Sequence, residues 1–182
     1  MKNLFINHIK QRGFYNQCTN HDKLKEILKS NTVAYAGFDC TADSLHIGSL
    51  VPIMILRAFQ QFGHKPIILL GGGTTLIGDP SGKEETRRIL DTDTIKSNKN
   101  KLKKLFSQFL DFNNSENGAV LVDNLDWIKN LNYVSFIRDI GSQFSINRML
   151  SFESVKQRLK RQQNLSFLEF NYSILQAFDF LE

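Results

Sequence analysis

The chain of 182 residues has no apolar run approaching the roughly 20 residues needed to cross a bilayer, so a membrane span is not expected. It has only 2 cysteines, Cys18 and Cys40. That excludes a disulfide scaffold and fits a reducing compartment in which thiols stay free. Only 3 prolines and 1 tryptophan occur, against 15 phenylalanines, a balance that excludes collagen-like and disordered chains. The first ten residues mix apolar side chains with Asn, His and Lys and lack the long apolar centre of a secretory signal. The expected location is the cytoplasm.

The composition is that of an ordinary globular protein, 41% apolar and 23% charged. The length suits about one domain and a sizeable core. The formal net charge is +5, and much of it lies between Lys96 and Lys104. Such a run permits a polyanionic partner, but it reads first as the solvated face of a helix.

Leu24 to Leu28 has the pattern of a short amphipathic helix broken at Ser30-Asn31. Thr32 to Phe38, Pro66 to Leu70 and Ala119 to Val122 are short and apolar on both faces, as buried strands are. Gly48 to Phe62 has helical spacing, with Gly63 placed to end it. Gly71 to Lys83 reads as a Gly-rich loop containing the turn Asp79-Pro80-Ser81-Gly82. A polar segment from Glu84 leads into an amphipathic helix ending near Phe112. The remainder, from about Leu125, is helical, with breaks near Gly141 and Asn164. Strands alternating with helices predict a doubly wound α/β fold with a parallel sheet, and ligands sit beyond the carboxyl ends of such strands. The expected organisation is an N-terminal helical segment over 1–31 and a Rossmann-like region over 32–182.

Three segments could carry chemistry. Asp43 to Ser49 precedes a helix whose first N–H groups attract phosphate. There Gly48 allows close approach and His46 could donate to a phosphate oxygen; a helix cap at Ser44 beside a packed histidine suits the same residues. Gly71 to Lys83 follows a strand, but Ile77 and Glu84 break the P-loop pattern and Leu76 breaks G-x-G-x-x-G. Asp79 could pair with a ligand ammonium, or the segment could be a plain turn. Tyr172, Gln176 and Asp179 stand at i, i+4 and i+7 on one helix face, which suits either a polar ligand or an exposed stripe. Cys18 and His21 form C-x-x-H with no second pair, so a zinc site is not expected.

Taken together, these residues resemble the amino-terminal part of the catalytic domain of bacterial tyrosyl-tRNA synthetases, which are class I enzymes. The carriers are Tyr35 to Ser49, Gly72 to Lys83, Asn124 to Trp127 and Phe170 to Leu181, in that order and spacing. The resemblance implies that tyrosine and ATP, with Mg2+, form tyrosyl-adenylate and that the tyrosyl group passes to tRNA(Tyr). It implies that Tyr35 and Asp179 hold the phenol. Asp79, Tyr172 and Gln176 hold the ammonium, with Thr74 and Asn124 nearby. Asp39 serves the amino acid and adenylate, and Gly48 and Ser49 serve ATP. Thr41 and His46 stabilise the departing pyrophosphate, and Lys83 and Arg87 belong to a loop that closes over it. No resident metal or tightly bound cofactor is implied. Catalysis would rest on positioning and on stabilising phosphate charge. A site that hydrogen-bonds a phenol rejects phenylalanine because its buried polar groups would be left unpaired.

The chain departs from the pattern at Ser49, where the class signature His-Ile-Gly-His ends in His, at Ala36, where some members have Cys, and at Cys40, where Pro is usual. The later Gly-Ser-Asp-Gln-Trp-Gly and Lys-Met-Ser-Lys-Ser segments are absent. The expected catalytic domain is therefore incomplete at its C-terminus, with exposed apolar surface and little activity alone. The resemblance places Phe167 to Phe170 at a homodimer contact. A non-catalytic remnant or dimerising module is the alternative. A tryptophanyl relative fits less well, since Tyr35 with Asp179 favours a phenol over an indole.

Overall fold

Three short parallel strands form one sheet in the order β1-β2-β3, in a computed structural model that describes residues 4–79 and 90–182. The strands are β1 (Val33–Asp39), β2 (Lys65–Gly71) and β3 (Val120–Asp123). Each lies within a residue or two of its expected place. Sequential order is that of one wound half of an α/β sheet. Ten α-helices are present among the described residues: α1 (Leu4–Gln11), α2 (His21–Ile27), α3 (Leu50–Gln61), α4 (Gly72–Ile77), α5 (Thr92–Phe106), α6 (Leu125–Ile128), α7 (Tyr133–Asp139), α8 (Ile146–Leu150), α9 (Glu153–Lys160) and α10 (Phe167–Phe178). None is long and apolar enough to cross a membrane. The chain divides into two compact units, residues 1–70 with 97–122, and residues 71–96 with 123–182.

In the first unit, Phe5, Ile6 and Ile9 on one face of α1 bury against Leu28, Ala58 and Phe59. Phe5 meets Phe59 edge-on at 5.3 Å between ring centroids, a favoured aromatic geometry. Asn20 caps α2, its Oδ1 accepting from Lys23 N–H at 2.9 Å. Gly63 ends α3 as expected, with φ +84°. Its own N–H donates to Gln60 O (2.9 Å) and that of His64 to Phe59 O (3.1 Å), the pair of bonds a Schellman turn makes. Phe38 of β1 packs on Phe106 of α5 at 4.9 Å between ring centroids. Along α5 the buried residues Ile95, Asn98, Leu102 and Phe106 follow helical spacing, while Lys96, Lys101, Lys103 and Lys104 are exposed. The lysine run is thus mainly the outer face of an amphipathic helix. Lys101 reaches Asp43 at 3.1 Å, and its hydrogen bond and charge lower the Asp43 carboxyl below the usual range.

The loop before β3 is held by Gln60. Its Nε2 donates to Asp111 O (2.7 Å) and Asn117 O (3.0 Å), and its Oε1 accepts from Asp111 N–H (3.0 Å). Its backbone carbonyl accepts from Asn117 Nδ2 at 3.0 Å, so this buried amide is well satisfied. Gly118 closes the loop so tightly that an added Cβ would lie 2.0 Å from the backbone oxygen of Asn113. Gly118→Ala is expected to destabilise the chain by roughly 3 kcal/mol, because backbone has to move to admit the methyl group. Urea unfolding checks this, and an unchanged midpoint contradicts it.

The second unit corrects one expectation. Residues 72–77, read as a Gly-rich loop, form α4. Consecutive glycines disfavour a helix intrinsically, but side chains from the end of β3 accept its first N–H groups. Asp123 Oδ1 accepts from Gly72 N–H at 3.1 Å, and Asn124 Oδ1 accepts from Gly73 N–H at 2.8 Å. Glycine is needed at 72, where a Cβ would sit 2.2 Å from Asp123 Oδ1. The turn expected at Asp79-Pro80-Ser81-Gly82 lies mostly outside the described residues. The break expected near Gly141 is a 3-10 turn, Gly141–Gln143, and that near Asn164 is the corner between α9 and α10. Exposed apolar surface is present as expected: Tyr133, Val134, Ile146, Phe167, Phe180 and Leu181 are all more than half exposed.

Candidate functional site

The first unit carries the segment after β1. Tyr35 is half-buried within the strand and Asp39, also half-buried, is its last residue. Thr41, His46 and Gly48 are exposed, and Ser49 is half-buried. A 3-10 turn over Ile47–Ser49 leads into α3. His46, not Ser44, caps that turn: its Nδ1 accepts from Gly48 N–H at 3.0 Å, and its carbonyl accepts from Ser49 N–H at 2.8 Å. The packed histidine considered from sequence is therefore replaced by an exposed one. An accepting Nδ1 leaves Nε2 as the proton-bearing nitrogen of the neutral ring, so the ring presents a donor outward. Gly48 permits this, since a Cβ there would approach Nδ1 to 3.1 Å.

The second unit contains two clusters, both touching α10. The first is a hydrogen-bonded network around Asn124, which is 1% exposed. Asn124 Oδ1 accepts from Gly73 N–H and, at 3.4 Å, from Thr74 N–H. Its Nδ2 donates to Thr74 Oγ1 at 3.1 Å and to Asp179 Oδ2 at 3.0 Å. The other Asp179 oxygen, Oδ1, accepts from Trp127 Nε1 at 2.9 Å. Burial raises the Asp179 carboxyl above the usual carboxylate range, and the bonds from Asn124 and Trp127 only partly oppose this. Asp179 also sits at the C-cap of α10, where the helix dipole disfavours an anion. Each carboxylate oxygen has a further lone pair, so the group retains capacity for another donor.

The second cluster is a cavity of about 610 Å³. Asp79, Tyr172 and Gln176 supply polar groups to its lining, and Phe144, Phe152 and Phe170 supply apolar surface. The i, i+4 spacing of Tyr172 and Gln176 thus becomes a shared wall, whereas Asp179 joins the Asn124 network instead. Few polar groups in an aromatic-lined hollow suit a small amphipathic ligand.

Sequence reasoning passed over Trp127 as a site residue. The signal was present in the segment Asn124 to Trp127, where i+3 spacing puts the indole and the amide on one side of α6. Lys83 and Arg87 lie outside the described residues. Among the described residues no three His, Cys, Asp or Glu gather as a metal site.

The parallel three-stranded sheet with its helices matches the catalytic domain of class I aminoacyl-tRNA synthetases. Residues 27–182 match the family described as tRNA synthetases class I (W and Y), and the chain belongs to that family. It is 56% identical over 181 residues to the tyrosine–tRNA ligase of Pelagibacter ubique, covering 99% of this chain and 44% of that protein. The tyrosine–tRNA ligase of Zymomonas mobilis is also 56% identical, over 179 residues, 98% of this chain and 44% of the relative. The chain thus spans less than half the length of these relatives. Among solved structures, a C-terminally truncated mitochondrial tyrosyl-tRNA synthetase from Aspergillus nidulans superposes with a TM-score of 0.85 at 30% identity, covering 96% of this chain and 52% of that one.

Proposed function

We propose that the protein this chain represents is a tyrosine–tRNA ligase. It activates tyrosine with magnesium-bound ATP to tyrosyl-adenylate and pyrophosphate, then passes the tyrosyl group to tRNA(Tyr). The observation that carries this reading is the pair of clusters on α10. One gathers Asp79, Tyr172 and Gln176 around a cavity, and the other holds a buried carboxylate, Asp179, between two fixed donors.

The residues have separate tasks. Asp79 supplies the counter-charge for the substrate ammonium, and Gln176 and Tyr172 supply oriented hydrogen-bonding groups. Asp179 accepts the phenol hydroxyl, with Asn124 and Trp127 holding it in place and Thr74 held in turn by Asn124. Tyr35 is assigned to the phenol, Asp39 to the amino acid and adenylate, and Thr41, Gly48 and Ser49 to the nucleotide. His46 presents its Nε2 donor to the leaving pyrophosphate. Lys83 and Arg87 are assigned to pyrophosphate closure. No side chain acts as nucleophile, because the substrate carboxylate attacks the α-phosphorus.

Binding of free amino acids to the chain, followed by NMR, tests the reading. L-Tyrosine is expected to shift resonances of Tyr172 and Gln176, while L-phenylalanine and L-tryptophan at equal concentration do not. An equal response to phenylalanine overturns it. Tyrosine-dependent pyrophosphate exchange is expected to be at background for the chain alone, since it spans 44% of its relatives' length.

The same reading includes a homodimer. Tyr133, Val134, Ile146 and Phe167 of the second unit are 62–73% exposed, an apolar surface of the kind that subunit contacts cover. Sedimentation analysis is expected to show self-association that Phe167→Asp weakens. A strictly monomeric species at high concentration contradicts it.

A further inference from the structure

Helices α9 and α10 meet at a corner, residues 161–166, where Gln162 adopts a positive φ of +53°. Inside this corner lies an ion pair that the proposed reaction does not use. Arg158 and Glu169 approach to 3.4 Å with side chains 4% and 2% exposed. Arg158 Nη2 also donates to the carbonyl of Asn164, within the corner. Glu169 forms a reciprocal cap on α10. Its Oε2 accepts from Ser166 N–H (3.0 Å) and Ser166 Oγ (2.9 Å), and its own N–H donates to Ser166 Oγ at 3.2 Å. One guanidinium therefore ties the end of α9, the corner and the start of α10.

A buried ion pair is a poor source of net stability, because desolvation of both charges offsets their attraction. Its strength is geometric, since Nη2 of the planar guanidinium meets both the Asn164 carbonyl and Glu169 Oε1, fixing directions that apolar packing leaves loose. The geometry here bears on the cavity. On α9, Ser154 and Val155 line the cavity and Arg158 follows one turn later. On α10, Glu169 precedes Tyr172, Ser173 and Gln176 at i+3, i+4 and i+7, so it shares their face. The pair thus joins the same two helix faces that form the cavity, one turn beyond it.

We propose that Arg158 and Glu169 are positioning residues that set the spacing of the α9 and α10 walls, and so hold Tyr172 and Gln176 where they receive the ammonium group of an α-amino acid. This deepens the functional reading above and rests on it for the identity of the ligand. A purely structural pair would affect all ligands of the cavity alike. A positioning pair affects the ammonium end selectively.

The test uses the 182-residue chain with two probes, L-tyrosine and phloretate, the deaminated analogue. R158K keeps the charge but replaces the planar guanidinium, whose Nη2 meets Asn164 O and Glu169 Oε1, with a tetrahedral ammonium on a shorter stem. It is expected to raise the dissociation constant for L-tyrosine about tenfold, the scale of a small misplacement, and to leave that for phloretate within about twofold. Equal weakening of both probes, or of neither, overturns the proposal. If R158K fails to fold by circular dichroism, E169Q, which retains an acceptor for Ser166, takes its place with the same outcomes. If the unaltered chain binds neither probe, the functional reading of this chain fails and amide hydrogen exchange decides the positioning claim. The variant is then expected to speed exchange from Tyr172 to Gln176 and leave Leu102 to Phe106 unchanged. Unaltered exchange along α10 overturns it.

Discussion

Replacing Asp179 with Asn is expected to cut the preference for tyrosine over phenylalanine by about ten- to a hundredfold, the equivalent of one charge-assisted hydrogen bond at roughly 1.5–3 kcal/mol. The structure makes this substitution more disruptive than its small size implies. Asn124 is locked as a donor toward residue 179, because its own Oδ1 accepts from Gly73 and Thr74 N–H. Trp127 Nε1 is a donor only. Two fixed donors therefore face the two side-chain oxygens of Asp179, and an amide supplies one acceptor where two are required. One donor then meets an NH2 group, and the position no longer accepts the phenol. The measurement is the ratio of L-tyrosine to L-phenylalanine affinity in wild type and D179N. An unchanged ratio removes Asp179 from the phenol's recognition.

The pH dependence gives the same prediction a second signature. Burial raises the folded-state pKa of Asp179 above its unfolded value. The stability this group contributes is therefore present in full below the unfolded pKa and is lost as pH rises through the folded one. On acidification from neutrality, wild type gains stability relative to D179N. Over the same interval its tyrosine preference declines, because a protonated carboxyl is the weaker acceptor. The loss sets in at a higher pH than an ordinary aspartate would produce. Opposite trends in stability and selectivity identify Asp179 as the titrating group, and parallel trends exclude it.

Asn124→Ala is expected to produce the largest stability change at the site, roughly 3 kcal/mol or more, since each buried polar group left unsatisfied costs about 1–3 kcal/mol. The amide side chain serves Gly73 N–H, Thr74 Oγ1 and Asp179 Oδ2 in one place. Without it, the first turn of α4 loses an acceptor in a sequence of glycines with little helical propensity of its own. Faster amide exchange across α4 and a lower urea midpoint are the expected readouts. N124D separates the two halves of this role. It retains an acceptor for the α4 N–H groups but sets a carboxylate against Asp179, so its cost grows as pH rises. Equal destabilisation of both variants at all pH values contradicts the assignment.

Much of the fold was legible in the chain because its strands are apolar on both faces and its long helices have a regular apolar period. Ile95, Leu102 and Phe106 are buried where that period puts them. Gly63 ends α3 where glycine alone adopts a positive φ without strain. The segment 72–77 was misread because glycine propensity is local, whereas the acceptors that make it a helix come from Asp123 and Asn124, some fifty positions away along the chain. Trp127 escaped notice for a similar reason, since an indole N–H acquires a role only from the acceptor it meets.

By itself, the order of residues carried the family resemblance and the alternation of strands and helices, and it set Tyr172, Gln176 and Asp179 on one face, because helical spacing places side chains on a face without reference to the rest of the molecule. It left open whether that face met a ligand or solvent. Only the tertiary structure divided the face, giving Tyr172 and Gln176 to a cavity and Asp179 to Asn124 and Trp127. Only it showed that His46 caps its own turn through Nδ1 and that Arg158 reaches Glu169 across a corner. Hydrogen-bond partners are a property of packing, since a buried polar group takes whichever neighbour the fold brings within about 3 Å.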